Sequence, residues 1–183
     1  MNQFIKDRTP KERRYNTSKI ILEEETLLLI LDMQEKLISN IKGNQLLIFN
    51  IKKLIESCDL LNVRIAFTEQ NPLKLGKTLE TILESREYPV FEKMDFSCSK
   101  NNSFIDYINE YNFKNIIICG IESHICILQT SIELIEKGLN ILIPKDAIGS
   151  RNEIDNDTAF LRLIMSGAIA STTESLICEL CKT

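Results

Sequence analysis

"NIIICGIESHICILQTSIELIEKG", residues 115 to 138, decides the fold. Asn115 to Cys119 centre on three isoleucines, which suits a strand buried on both faces of a parallel sheet. Gly120 is expected to break that strand. Ile125, Leu128, Ile132 and Ile135 then recur at spacings of three and four, the signature of a helix laying one face on a core. Cys126 therefore falls near the N-terminus of that helix, where unpaired N–H groups and the positive end of the dipole favour a thiolate, hence a nucleophile near neutral pH. A free cysteine is also among the most buried residue types, and on this stretch alone an inert cysteine is the commoner outcome.

The same alternation extends to both sides. Leu27 to Leu31 reads as a buried strand ending in Asp32, Leu47, Ile51, Leu54 and Cys58 as a helix face, Val63 to Phe67 as a second strand, and Tyr88 to Phe91 as a third ahead of Lys93. Phe104, Ile108 and Tyr111 face a helix before strand 115 to 119, and Leu139 to Ile143 make a fifth strand. Ile154, Leu161 and Ile164 read as the buried face of a further helix, Ala168 to Ala170 as a small last strand, and Ser171 with Glu174 as a capping box. Strands separated by helices imply a three-layer α/β/α fold, a doubly wound, Rossmann-like parallel sheet of about six strands in the order 3-2-1-4-5-6. Ligands in such sheets bind beyond the carboxyl ends of the strands, where the order reverses. Asp32, Lys93 and Cys126 fall at such ends.

Composition narrows the class. A chain of 183 residues, 44% hydrophobic, is long enough for one domain with a sizeable core. A net charge of -4 gives no sign of nucleic-acid or membrane binding. No apolar run reaches the length of a membrane span and no signal peptide opens the chain, so six cysteines read as reduced thiols in an intracellular, cytoplasmic setting. Residues 1–22 are polar and locally basic, with six Lys or Arg among the first twenty against Asp7 and Glu12. They read as an arm outside the core that stays mobile or packs on a neighbouring subunit, with organelle targeting left open. Residues 23–183 form the domain.

Four segments, "LLLILDMQEKLI" (27–38), "VFEKMDFS" (90–97), "GIESHICILQTSIELIEKG" (120–138) and "KDAIGSRNEIDNDTAFLRLIMSGAIASTTES" (145–175), resemble the isochorismatase-like cysteine hydrolases in order and separation. "FTEQNPLKLG" (67–76) further resembles the small isochorismatase-domain hydrolases. The resemblance implies a triad: Asp32 as general base, Lys93 as the cation that keeps it ionised and orients the substrate, and Cys126 as nucleophile on an amide-like carbonyl. It also implies an oxyanion site from the backbone N–H groups of Glu122 and Cys126, shaped by a cis peptide between Ile121 and Glu122. Gln70 and Phe96 are pocket candidates, and His124, the only histidine, is pocket-lining or structural rather than a base.

The pattern departs from parts of the family. Thr68, Glu69, Gln70 and Asn71 stand where nicotinamidases carry Asp and His metal ligands, so no metal or other cofactor is expected, and Cys126 argues against isochorismatase proper. Cys58 and Cys119 read as core, Cys98 lies in a loop of uncertain exposure, and the Cys178–Cys181 CxxC reads as helix packing rather than zinc. The expected activity is hydrolysis of a small amide or carbamoyl C–N bond through an acyl-thioester, in a homo-oligomer of two or more chains. Its rival is a catalytically silent scaffold or a thiol-based redox sensor on the same fold.

Overall fold

All six residues of the strand β1, Thr26–Leu31, are buried, and they divide their side chains between two cores. Leu28 and Ile30 point to one face of the sheet, Leu27, Leu29 and Leu31 to the other, as the two-residue period of a strand requires. A strand with two apolar faces needs helices on both sides. The computed structural model, which describes Ile21 and residues 23–181, supplies them.

Along the chain, β1 is followed by α1 (Glu35–Ile38), α2 (Asn44–Leu60), β2 (Arg64–Gln70), α3 (Pro72–Leu75), α4 (Glu80–Leu83) and β3 (Val90–Lys93). Then come α5 (Asn102–Glu110), β4 (Asn115–Ile121), α6 (Leu128–Glu136), β5 (Asn140–Pro144), β6 (Ile148–Gly149), α7 (Glu153–Met165), β7 (Ile169–Ser171) and α8 (Thr173–Cys181). The strands are all parallel, in the order β3-β2-β1-β4-β5-β7, with β6 paired to the end of β4. Helices α2 and α8 cover one face, and α5, α6 and α7 the other. The order reverses between β1 and β4, so the crevice beyond their carboxyl ends is the natural ligand site.

Several elements differ from the sequence expectation. Gly120 does not end β4; it lies inside it at φ +113°, opposite Leu31, where a Cβ would stand 2.1 Å from the Leu31 carbonyl oxygen. Only a glycine lets the two backbones come that close. Strand β3 starts two residues late, which puts Lys93 on the strand, and β2 runs on to Gln70. The two-residue β6 was too short to leave a pattern.

On α7, Ile154 and Leu161 are 72% and 61% exposed, while Ala159 and Leu163 are buried. The helix carries two periodic stripes, and close packing on the segment before α6 selects the one with the smaller side chain. The last helix is capped one residue later than expected: the Thr172 hydroxyl accepts from the Ser175 N–H at 3.3 Å, and Ser171 closes β7. The arm expected over residues 1–22 lies outside the described residues apart from Ile21. That residue is buried in the core, its N–H donating to Glu179 Oε1 at 3.1 Å.

Candidate active site

Asp32 is the first residue past β1 and is fully buried. It adopts φ +53°, a left-handed conformation that turns the chain off the sheet, while its N–H still donates to Thr68 O at 3.1 Å. Both carboxylate oxygens are taken. Thr68 Oγ1 donates to Oδ1 at 2.6 Å, and Lys93 Nζ donates to Oδ2 at 2.7 Å.

Lys93 ends β3, two strands away from β1 or roughly 10 Å at the usual strand spacing. Its long side chain crosses the end of β2 to reach Asp32, and the residue is 5% exposed. The ammonium has three N–H donors and three acceptors around it: Asp32 Oδ2, Gln70 Oε1 at 2.8 Å and Cys126 Sγ at 3.5 Å. A buried ammonium that contacts a carboxylate and a thiol at once is well satisfied, and the pair adds no net charge to the site.

Cys126 enters the cluster from a single π-turn, Ser123–Ile127, that precedes α6. The wider turn is closed by Ile127 N–H donating to Glu122 O at 3.3 Å, a five-residue span of the kind often found at functional sites. Burial pushes the Cys126 thiol well up, the Asp32 carboxylate pushes it further, and Lys93 pulls it down only in part. Burial and Asp32 thus work against the thiolate that the helix N-terminus and Lys93 favour. The thiol and the Asp32 carboxylate share Lys93 as a neighbour.

The remaining cysteines separate from it. Burial pushes Cys58 and Cys98 up to about 12 and raises Cys119 as well, and all three are fully buried. Cys178 and Cys181 are exposed rather than packed, so added alkylants meet them first. General thiol reactivity will not single out Cys126.

The Ile121–Glu122 peptide is cis. The Glu122 carboxylate accepts from the Arg151 backbone N–H at 3.1 Å and from Arg151 Nε at 3.0 Å. Ser123 Oγ donates to Gly149 O at 3.0 Å, and His124 Nδ1 pairs with Ser150 Oγ at 2.9 Å. Residues 149–151 thus hold the π-turn from outside, and His124 faces that segment. Phe96 is 52% exposed on the loop after β3. The structure brings Asp32, Lys93, Cys126 and Gln70 into one hydrogen-bonded cluster, with His124 and Phe96 outside it.

Three sets of supporting residues escaped the sequence reading. Thr68 and the fully buried Gln34 hold Asp32 and Gln70. Ser97 and Ser99, just past Lys93, donate to Glu133 Oε2 on α6, the Ser97 bond at 2.9 Å. These bonds lower the Glu133 carboxyl, Ser99 having the largest effect. Polar residues ending a strand at the switch point were a usable signal for Thr68; the Ser–Glu contact left none. Glu69 is buried but spends Oε1 on the Thr78 N–H and hydroxyl at 2.7 and 2.9 Å. Among the described residues, no group of three His, Cys, Asp or Glu is placed to hold a metal ion, and no helix is long and apolar enough to cross a membrane.

Comparison with known proteins adds to this geometry. The model of the isochorismatase domain matches residues 26–175. Isochorismatase family protein 1B of Dictyostelium discoideum is 36% identical over 166 residues, 87% of this chain and 80% of that protein. A solved structure described as the MAR1 ribonuclease of Caenorhabditis elegans superposes with a TM-score of 0.85 at 35% identity, covering 90% of this chain and 85% of that one. The YcaC gene product of Escherichia coli, described as an octameric hydrolase of unknown specificity, shares the fold with a TM-score of 0.78 at 20% identity, over 89% and 82% of the two chains.

Proposed function

The chain belongs to the isochorismatase family, and from that premise we propose that it is a cysteine hydrolase cleaving a C–N bond of a small amide or carbamoyl substrate. One observation carries the reading: a buried ammonium, Lys93, touches both the carboxylate of Asp32 and the thiol of Cys126. As Cys126 Sγ bonds to the substrate carbonyl carbon, its proton passes to Asp32. The carbonyl oxygen takes up the negative charge and is held by the N–H groups of Glu122 and Cys126, the former on the cis peptide. Collapse of the intermediate breaks the C–N bond, and the nitrogen leaves with the proton from Asp32. Water, deprotonated by Asp32, then attacks the acyl-thioester, and the thiolate departs and recovers a proton.

Lys93 lies beside both Asp32 and Cys126 and so stabilises either one when it is the anion, while the backbone N–H groups hold the charge on the intermediate's oxygen. A thiol raised by burial suits a cycle in which a neighbouring carboxylate takes its proton. The name of the nematode structure gives a second reading, RNA as substrate. The triad favours it less: the Lys93 donors are all committed, leaving none for a phosphate, and the net charge is -4.

A screen of small amides and ureides, read by ammonia release and by mass spectrometry of the Cys126 peptide, tests the proposal. The expected result is turnover with a transient acyl adduct on Cys126. Cleavage of a short RNA with no amide turnover would replace the first reading by the second. We also propose a homo-oligomer, supported by the exposed apolar stripe of Ile154, Leu161 and Met165 on α7. Light scattering should give a mass of two chains or more, and a monomer would refute it.

A further inference from the structure

We infer that Gln70 is a positioning residue whose side-chain amide holds the Lys93 ammonium between Asp32 and Cys126, with Gln34 holding Gln70 in turn; the inference rests on the triad proposed above. Gln70 stood as a pocket candidate, but its amide is already engaged. Oε1 accepts from Lys93 Nζ at 2.8 Å, and Nε2 donates to Met94 O at 2.8 Å. An ammonium can only donate and a carbonyl can only accept, so the amide has one orientation.

The backbone of Gln70 is fixed with equal care. The β1–β2 ladder ends at Leu31 and Thr68, so on the β1 side Gln70 has no strand beside it, although β3 still flanks it on the other. The Gln34 side chain takes the strand's place: its Oε1 accepts from Gln70 N–H at 2.8 Å and its Nε2 donates to Gln70 O at 3.1 Å. Nε2 also donates to Gly76 O, which ties the following loop to the same point. On the other side, Asn71 N–H donates to Lys93 O at 2.9 Å. A continuous chain of hydrogen bonds therefore runs from buried Gln34 through Gln70 to the ammonium of Lys93, whose backbone carbonyl is held by the next residue, Asn71. A lysine has a flexible four-carbon stem, and this chain is what selects one of its many conformers.

The consequence is electrostatic. Lys93 is the group that lowers the Cys126 thiol against burial and Asp32, so any change at Gln70 that displaces or neutralises the ammonium makes the thiol harder to ionise. Gln70→Glu keeps the shape and adds a carboxylate; Gln70→Met keeps the length and leaves one Lys93 N–H without a partner.

The test is the rate of alkylation by iodoacetamide from pH 6 to 10, followed on the Cys126 peptide by mass spectrometry. Sulfur bonds to the acetamide carbon, iodide leaves, and the thiol proton passes through Asp32 to water. The exposed Cys178 and Cys181 serve as internal references. Both variants should displace the Cys126 profile to higher pH, Gln70→Glu by about one unit, or about tenfold slower labelling at a given pH, while the reference peptides keep their rates. A lowered melting temperature with the profile in place would make Gln70 merely structural and overturn the inference. If Gln70→Met does not fold, the isosteric Gln70→Glu decides alone. Alkylation needs no substrate, so the two ideas fail separately: absent amide turnover with a displaced profile sinks only the hydrolase reading, and turnover with an unmoved profile sinks only this one.

Discussion

Cys126→Ala will leave a folded protein that forms no acyl adduct, with kcat/KM lower by about 10⁴-fold or more, because no other side chain in the cluster can carry the acyl group. Asp32→Asn keeps the thiol but has no base, and should lose activity to a similar degree. The double variant should be little worse than Cys126→Ala, since removing one member of a cooperating unit disables the others. Lys93→Met fails in another way. It strands the Asp32 carboxylate in a fully buried position, a change that costs about 3 to 5 kcal/mol in comparable pairs, and it removes the group that lowers the thiol. Residual activity should then move to higher pH. Steady-state rates across pH and thermal unfolding of each variant measure these effects. If Asp32→Asn turns over normally a substrate that Cys126→Ala cannot process, the base is elsewhere and His124 is next to be replaced.

Gly120→Ala should be the most damaging single substitution outside the triad. A Cβ there meets Leu31 O at 2.1 Å and Leu31 C and N at 2.9 Å, all backbone atoms of the central strand, and φ is +113°. Backbone cannot swing aside as a side-chain tip can, so β1 and β4 must separate just where Asp32 and the cis peptide begin. The expected loss is about 4 kcal/mol or more, which for a domain of this size lowers the melting temperature by roughly 10 °C. Gly138→Ala is the control: φ is +90°, but nothing lies within 4 Å of its added Cβ, so only conformational strain of about 1 kcal/mol remains. Equal melting temperatures for the two variants would show that the close approach at Gly120 does not constrain the fold.

Gly120 also shows where sequence stops being informative. A glycine after an apolar run reads equally as the end of a strand or as a close approach, and only the partner strand, Leu31, distinguishes them. The parallel sheet and its strand order were legible because continuous apolar runs such as 27–31 and 115–119 alternate with helical periodicity. The meeting of Asp32, Lys93 and Cys126 was legible because they sit at strand ends and within motifs that resemble a family. The burial around the thiol was not. Helix position is a local property and favours the thiolate, whereas burial and the Asp32 charge come from tertiary packing and act against it. Nor could spacing reveal that Gln34 substitutes for a strand beside Gln70, since nothing periodic links residues 36 apart.

The bonds from Ser97 and Ser99 to Glu133 have a mechanical meaning. Lys93 belongs to the half of the sheet that winds outward through β2 and β3, and Cys126 to the half that winds through β4 and β5, so the two meet across the crevice beyond β1 and β4. The serines sit on the first half and Glu133 on the second, so these bonds latch the loop after β3 to α6 beside the crevice. Met94 and Phe96, on the loop between Lys93 and these bonds, are exposed. The latch also has a pH limit. Its carboxyl is lowered by the serine bonds, so its hold is complete above the ordinary glutamate range and slackens as acid protonates Glu133.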